Sequence, residues 1–99
     1  MSTGPSISSS ELPPGRKKIL FRAWHRGMRE MDLLLGRFAE ARLATMSEAE
    51  IVELEALMEE PDPDILSWIT GQNPVPPAQD TAVFRALKAF HTHSGPLFR

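Results

Sequence analysis

Cysteine is absent from this chain. Disulfides, thiolate metal sites and a cysteine nucleophile are therefore all excluded, and the absence fits a reducing compartment. No apolar run approaches the ~20 residues that a membrane-spanning helix needs, so no membrane insertion is expected. The glycines never fall in Gly-x-Gly-x-x-Gly spacing and no Walker sequence occurs, which leaves no dinucleotide fingerprint and no phosphate loop. The chain is thus expected to hold no cofactor of its own. Histidine is scarce, with three in the chain. His91 and His93 stand two apart, about 200° round a helix, and cannot jointly hold a metal there, so no metal site is expected. Alternation of strand type is missing too, and the only regular structure expected is helix.

What is present suits one small domain. Ninety-nine residues, 41% hydrophobic and 24% charged, are ordinary for a soluble globular chain. A formal charge of −2 argues against general nucleic-acid affinity. The charge is uneven, however. Arg16, Lys17, Lys18, Arg22, Arg26 and Arg29 place six basic residues between Leu12 and Glu30 with no acid among them. Glu48, Glu50, Glu53, Glu55, Glu59, Glu60, Asp62 and Asp64 form an acidic run that reads as a solvated face. Acid-base catalysis would need burial to split the pKa values of such a pair, and no catalytic residue is assigned.

Residues 1–12 are Ser-rich with almost no apolar content, the composition of a disordered tail. They lack both the apolar core of a secretory signal and the arginines of a transit peptide, their only charged side chain being Glu11. The expected place of action is a bacterial cytoplasm, or the mitochondrial matrix in a eukaryote. Residues 13–93 should form the domain. Pro13-Pro14-Gly15 opens a first helix over about 16–25, with Ile19, Leu20, Ala23 and Trp24 facing inward. A second, over about 29–44, carries Met31, Leu34, Leu35 and Phe38 on one stripe, with Arg42 snorkelling at its edge. Gly36 inside that helix costs ~1 kcal/mol against alanine and implies a close approach. Ser47-Glu48-Ala49-Glu50 is a capping box for the third helix, which buries Ile51, Leu54, Leu57 and Met58. Asp62 as N-cap, Pro63 at the first helical position and Gly71 after the last turn bracket a fourth. Gln72 to Gln79 is a proline-rich linker. Asp80 should cap a fifth helix to about His93, burying Val83, Phe84, Leu87 and Phe90, and residues 94–99 should be loose. The fold class is all-α, a small five-helix bundle.

The chemistry concentrates at Arg26-Gly27-Met28-Arg29-Glu30. Glycine reaches positive φ freely and leaves the backbone bare. On one reading Gly27 is a helix C-cap between two solvated charges. On the other it gives access to a contact surface, where Arg26 offers a fork of donors to carboxylate, phosphate or carbonyl and Glu30 orients it. Arg26 and Glu30 are also four apart and could pair, although such a pair contributes only ~0.3 kcal/mol. His25 reads as a helix-end residue, and Trp24 and Trp68 as core.

The run from Arg26 to Phe38 resembles the signature of the succinate dehydrogenase flavinylation factors. Arg26, Gly27 and Glu30 match the family's Arg-Gly-x-x-Glu motif, and Asp32, Leu34 and Leu35 match the acidic residue and leucine pair that follow. Asp62 to Gly71 resembles a second block, Asp-x-Asp-Leu-x-x-Trp. The resemblance implies a non-enzymatic assembly factor that binds the FAD-bearing flavoprotein subunit of succinate dehydrogenase and promotes covalent FAD attachment, with the related fumarate reductase as a further candidate client. It implies a partner surface made by Arg26, Gly27, Glu30, Arg29, Asp32 and Arg22, on a protein expected to be monomeric when free. Two other readings stay open: a helical adaptor with no flavoprotein client, and a nucleic-acid adaptor using the basic first helix, whose affinity would fall steeply with salt.

Overall fold

A computed structural model describes residues 12–93, and the expected tails 1–11 and 94–99 lie outside the described residues. It contains five α-helices: α1 (Pro14–Trp24), α2 (Arg29–Arg42), α3 (Glu48–Met58), α4 (Asp62–Thr70) and α5 (Ala82–His93). Short 3-10 turns occupy Leu43–Thr45 and Pro77–Gln79, and no strand occurs among the described residues. The all-α class is therefore as the sequence predicts. No described helix is long and apolar enough to cross a membrane.

The chain divides into two compact units, Met1–Met46 and Ser47–Arg99. In the first, α1 begins with a proline in its first turn, where a missing N–H breaks no helical bond. Ile19, Leu20 and Ala23 of α1 are buried, as are Met31, Leu34, Leu35 and Phe38 of α2. Each fully buried Leu, Ile, Met or Phe side chain contributes roughly 1.5–3 kcal/mol. Leu12, assigned by sequence to the tail, is buried as well. The Arg16 guanidinium donates to the Leu43 carbonyl and ties the start of α1 to the end of α2. Arg42 is exposed, with its guanidinium 5.8 Å from the centre of the Phe38 ring. Trp24 differs from its expected role: it is half-buried, and its indole covers Gly36. A Cβ on Gly36 would overlap the Trp24 indole, so the glycine is there to admit the ring.

In the second unit the capping box forms in full. Ser47 Oγ accepts from the Glu50 N–H at 3.1 Å, and the Glu50 carboxylate accepts from the Ser47 N–H at 2.8 Å. Ile51, Leu54, Leu57 and Met58 are buried, as predicted. The start of α4 lies one residue earlier than the sequence suggests. Pro61 is the N-cap, and Asp62 is already helical, its carboxylate in the first turn at the positive end of the helix dipole. Gly71 closes that helix in the left-handed region, φ 82°. The cap of α5 also moves by one: Thr81 Oγ1 accepts from the Phe84 N–H at 3.1 Å. Asp80 instead pairs with Arg85 at 3.0 Å, and that hydrogen bond and charge hold its carboxyl below the usual aspartate range. Val83, Phe84 and Leu87 are buried, whereas Phe90 is half-buried and His91 takes the inward place. The Phe90 and His91 rings meet edge to face with centres 5.1 Å apart. Glu53, expected on a solvated face, accepts from the Val83 N–H at 3.2 Å and joins α3 to the first turn of α5.

Candidate functional site

The connection between α1 and α2 is four residues long, His25 to Met28. His25 caps α1, its N–H donating to the Arg22 carbonyl at 3.2 Å. Its ring stacks on Phe21 with centres 4.0 Å apart and planes 20° apart. Nδ1 lies 2.7 Å from the Phe21 carbonyl oxygen and donates to it, which fixes the ring against the helix end. Phe21 is 63% exposed, an unusual surface position for so large an apolar ring. With Lys17, Lys18, Leu20, Arg22, Trp24 and His25 it lines an open depression on α1.

Gly27 follows, with φ 93°. The C-cap reading of this glycine does not hold, because the cap of α1 is His25, two residues earlier. Gly27 turns the chain inside the connection, in a conformation that costs other residues roughly 1–2 kcal/mol. Nothing lies within 4 Å of where its Cβ would be. The backbone here is bare and open on its outer side.

The entry into α2 has an unusual anchor. The N-cap, Met28, has no side-chain oxygen with which to bond the first turn. Asp32, within α2, instead reaches back across the connection. Its Oδ1 accepts from the Arg26 backbone N–H at 2.6 Å, a short charge-assisted bond. Arg26 thus lies outside both helices, and the i,i+4 helical pairing considered for Arg26 and Glu30 has no helix to run along.

The six predicted site residues fall on three adjoining segments of one unit. Arg22 is exposed on the last turn of α1; Arg26, half-buried, and Gly27, exposed, form the connection. Arg29 and Glu30 are exposed on the first turn of α2, with Asp32, half-buried, just behind them. The structure joins Arg26 and Asp32 directly. Sequence reasoning missed the Phe21–His25 stack; a phenylalanine and a histidine four apart on a basic helix were its only trace. It also missed the Asp32 anchor, since a spacing of six belongs to no standard capping pattern. The arrangement can serve recognition: three arginines, two carboxylates and a bare peptide lie on and beside a sharply turned loop. Among the described residues no group of three or more metal-ligating side chains stands together.

A family profile described as the flavinator of succinate dehydrogenase matches residues 17–91. The chain is 35% identical over 86 residues to a protein of Acetobacter pasteurianus named FAD assembly factor SdhE, covering 87% of this chain and 79% of that one. It is 38% identical over 88 residues to the mitochondrial succinate dehydrogenase assembly factor 2 of Dictyostelium discoideum, covering 89% of this chain and 62% of that one. A protein of the same name from Scheffersomyces stipitis is 42% identical over 65 residues, or 66% of this chain and 44% of its own. The chain therefore spans under two thirds of these mitochondrial relatives. No solved structure matches it. A profile match over most of the chain, together with these relatives, means that this protein belongs to the succinate dehydrogenase flavinator family.

Proposed function

We propose that the protein is an assembly factor that binds the flavoprotein subunit of succinate dehydrogenase and promotes covalent attachment of FAD to it. Its contribution is binding rather than turnover: preferential affinity for one client conformer raises the population in which linkage occurs. The relatives' names point as far as succinate dehydrogenase and FAD assembly, and the observation that carries the reading is the Arg26–Gly27 connection. A glycine at φ 93° turns the chain there without terminating a helix, and its open outer face lies beside Arg26. As a contact point it lets a client backbone approach closely while Arg26 and Glu30 present charge on either side. Fumarate reductase, with a related flavoprotein subunit, is the second client to try. The factor works where its client matures, in a bacterial cytoplasm or a mitochondrial matrix, and is a monomer when free.

The test is Gly27→Arg. The substitution adds a charged side chain to an open site, so the fold should survive with a loss on the order of 1 kcal/mol for positive φ. Binding should suffer far more, because a misplaced charge in a desolvated contact leaves groups unpaired on both sides. In a strain lacking its own factor, covalent flavin on the client subunit, read by in-gel fluorescence, should be lost while the circular dichroism spectrum stays helical. Glu30→Ala should give the same defect more mildly. Full flavinylation with folded Gly27→Arg would rule out this use of the loop. Purified alone, the chain should carry no FAD, since it has no dinucleotide fingerprint.

A further inference from the structure

Asp32 is grouped by sequence with the residues that touch the client, and its geometry points elsewhere. We propose that Asp32 is a positioning residue: its carboxylate holds the Arg26–Gly27 connection in the conformation that the client recognises. The inference rests on the loop being the contact, and it deepens that reading.

The first residue of the connection, His25, is fixed to α1 by its own bonds, and the turn itself falls at Gly27. Glycine samples positive and negative φ almost equally, and Gly27 meets no neighbour on its outer side. Met28 cannot cap α2 through its side chain. The carboxylate of Asp32, by contrast, is carried on α2 itself, whose backbone at that residue is already helical through Asp32 N–H to Met28 carbonyl at 2.9 Å. From that rigid base its Oδ1 reaches the Arg26 N–H at 2.6 Å, six residues back and partly shielded from solvent. This bond closes a turn around Gly27 at the residue from which the Arg26 side chain departs. Helix-dipole stabilisation explains an acid in this turn, but Glu30 in the same turn would serve that purpose without bonding Arg26.

Preorganisation matters because a client that binds only one loop conformer loses affinity in proportion to the fraction of molecules outside it. A charge-assisted hydrogen bond is typically strong enough for its loss to reduce that fraction about tenfold. The chemistry also separates two roles. A positioning acceptor needs an oxygen, which asparagine retains. A contact that works by charge needs the carboxylate, which asparagine lacks.

The experiment compares the full-length chain with Asp32→Ala and Asp32→Asn, and uses Gly27→Arg as reference. Two quantities are measured: exchange of the Arg26 amide proton by NMR in the free protein, and Kd for the purified flavoprotein subunit well below each melting temperature. Asp32→Ala should speed exchange at Arg26 and weaken binding, each about tenfold, and Asp32→Asn should recover most of both. If Asp32→Ala does not fold, Asp32→Glu takes its place, since one added methylene misplaces the acceptor while keeping the charge; a smaller loss of affinity than in Gly27→Arg, with faster Arg26 exchange, is then expected. Unchanged affinity in Asp32→Ala, with binding abolished by Gly27→Arg, overturns the positioning role alone. Asp32→Asn as defective as Asp32→Ala, with Arg26 exchange unaltered in both, also overturns it and restores Asp32 as a direct contact. Unchanged affinity in Gly27→Arg and Asp32→Ala together removes the loop as the contact, and the positioning role falls with it.

Discussion

Among the described residues two glycines adopt positive φ, Gly27 at 93° and Gly71 at 82°, and they do so for different reasons. Gly71 ends α4. Its N–H donates to the Trp68 carbonyl at 3.3 Å, and Asn73 N–H donates to the Ser67 carbonyl at 3.1 Å, so the left-handed turn satisfies carbonyls the helix would otherwise leave unpaired. Gly27 ends nothing. Helix α1 is capped by His25, and the turn at Gly27 is held by a carboxylate arriving from the next helix. The same backbone conformation thus closes a helix at one site and turns an inter-helix connection at the other. A positive-φ glycine becomes informative about function only after its hydrogen bonds have been accounted for.

The sharpest way to break that comparison is to place the same side chain at both glycines. Gly27→Arg should abolish flavinylation with little thermal cost. Gly71→Arg should leave flavinylation intact and lower stability by about 1–2 kcal/mol, because the strain falls on a helix end. Melting curves beside flavin fluorescence of the client separate the two, and equal loss of flavinylation in both variants would mean that the contrast is wrong.

Gly36 supplies a third kind of glycine, with no positive φ at all. Its role is space for the Trp24 indole, so Gly36→Ala should destabilise by roughly 1–3 kcal/mol through overpacking. At this chain length that lowers the melting temperature by roughly 4–8 °C per kcal/mol. Trp24→Leu in the same chain should recover part of the loss; absence of any coupling between the two changes would count against the indole as the cause.

A smaller effect distinguishes two acids on α3. Glu53→Ala removes the acceptor for the Val83 N–H and should cost about 1 kcal/mol in urea unfolding. Glu55→Ala should stay within about 0.5 kcal/mol of the parent. Equal midpoints would show that the Glu53 bond contributes nothing net.

The smallest effect concerns pH. The hydrogen bond from Arg85 lowers the Asp80 pKa from 3.8, so its stabilisation is present above that value and is lost as pH falls through the lower folded one. Both side chains are well exposed, 42% for Asp80 and 69% for Arg85, and solvent screening keeps the contribution slight. Asp80→Asn should therefore narrow the gap between melting temperatures at pH 6 and pH 2.5 only marginally, and a large change would contradict the exposed geometry.

Local chemistry alone determined a good deal of this protein. Ser47 and Glu50 lie within one turn of each other, so their capping box needs no tertiary support and was legible from four letters. Apolar spacing along α2 and α3 selected Met31, Leu34, Leu35, Phe38, Leu54 and Leu57 for burial, because helical periodicity places them on one face whatever they meet. The resemblance carried by residues 26–38 and 62–71 together pointed to the family whose profile matches the chain. Boundaries one residue away were not legible: Asp62 and Thr81 each take a role the sequence allots to a neighbour, since Asp and Thr both cap well and Pro is accommodated anywhere in the first turn. What faces Gly36, what binds the Arg26 N–H and what Glu53 serves were decided only in three dimensions. Each depends on how one helix meets a neighbouring segment, and a bond across six or thirty residues leaves no periodic trace along the chain.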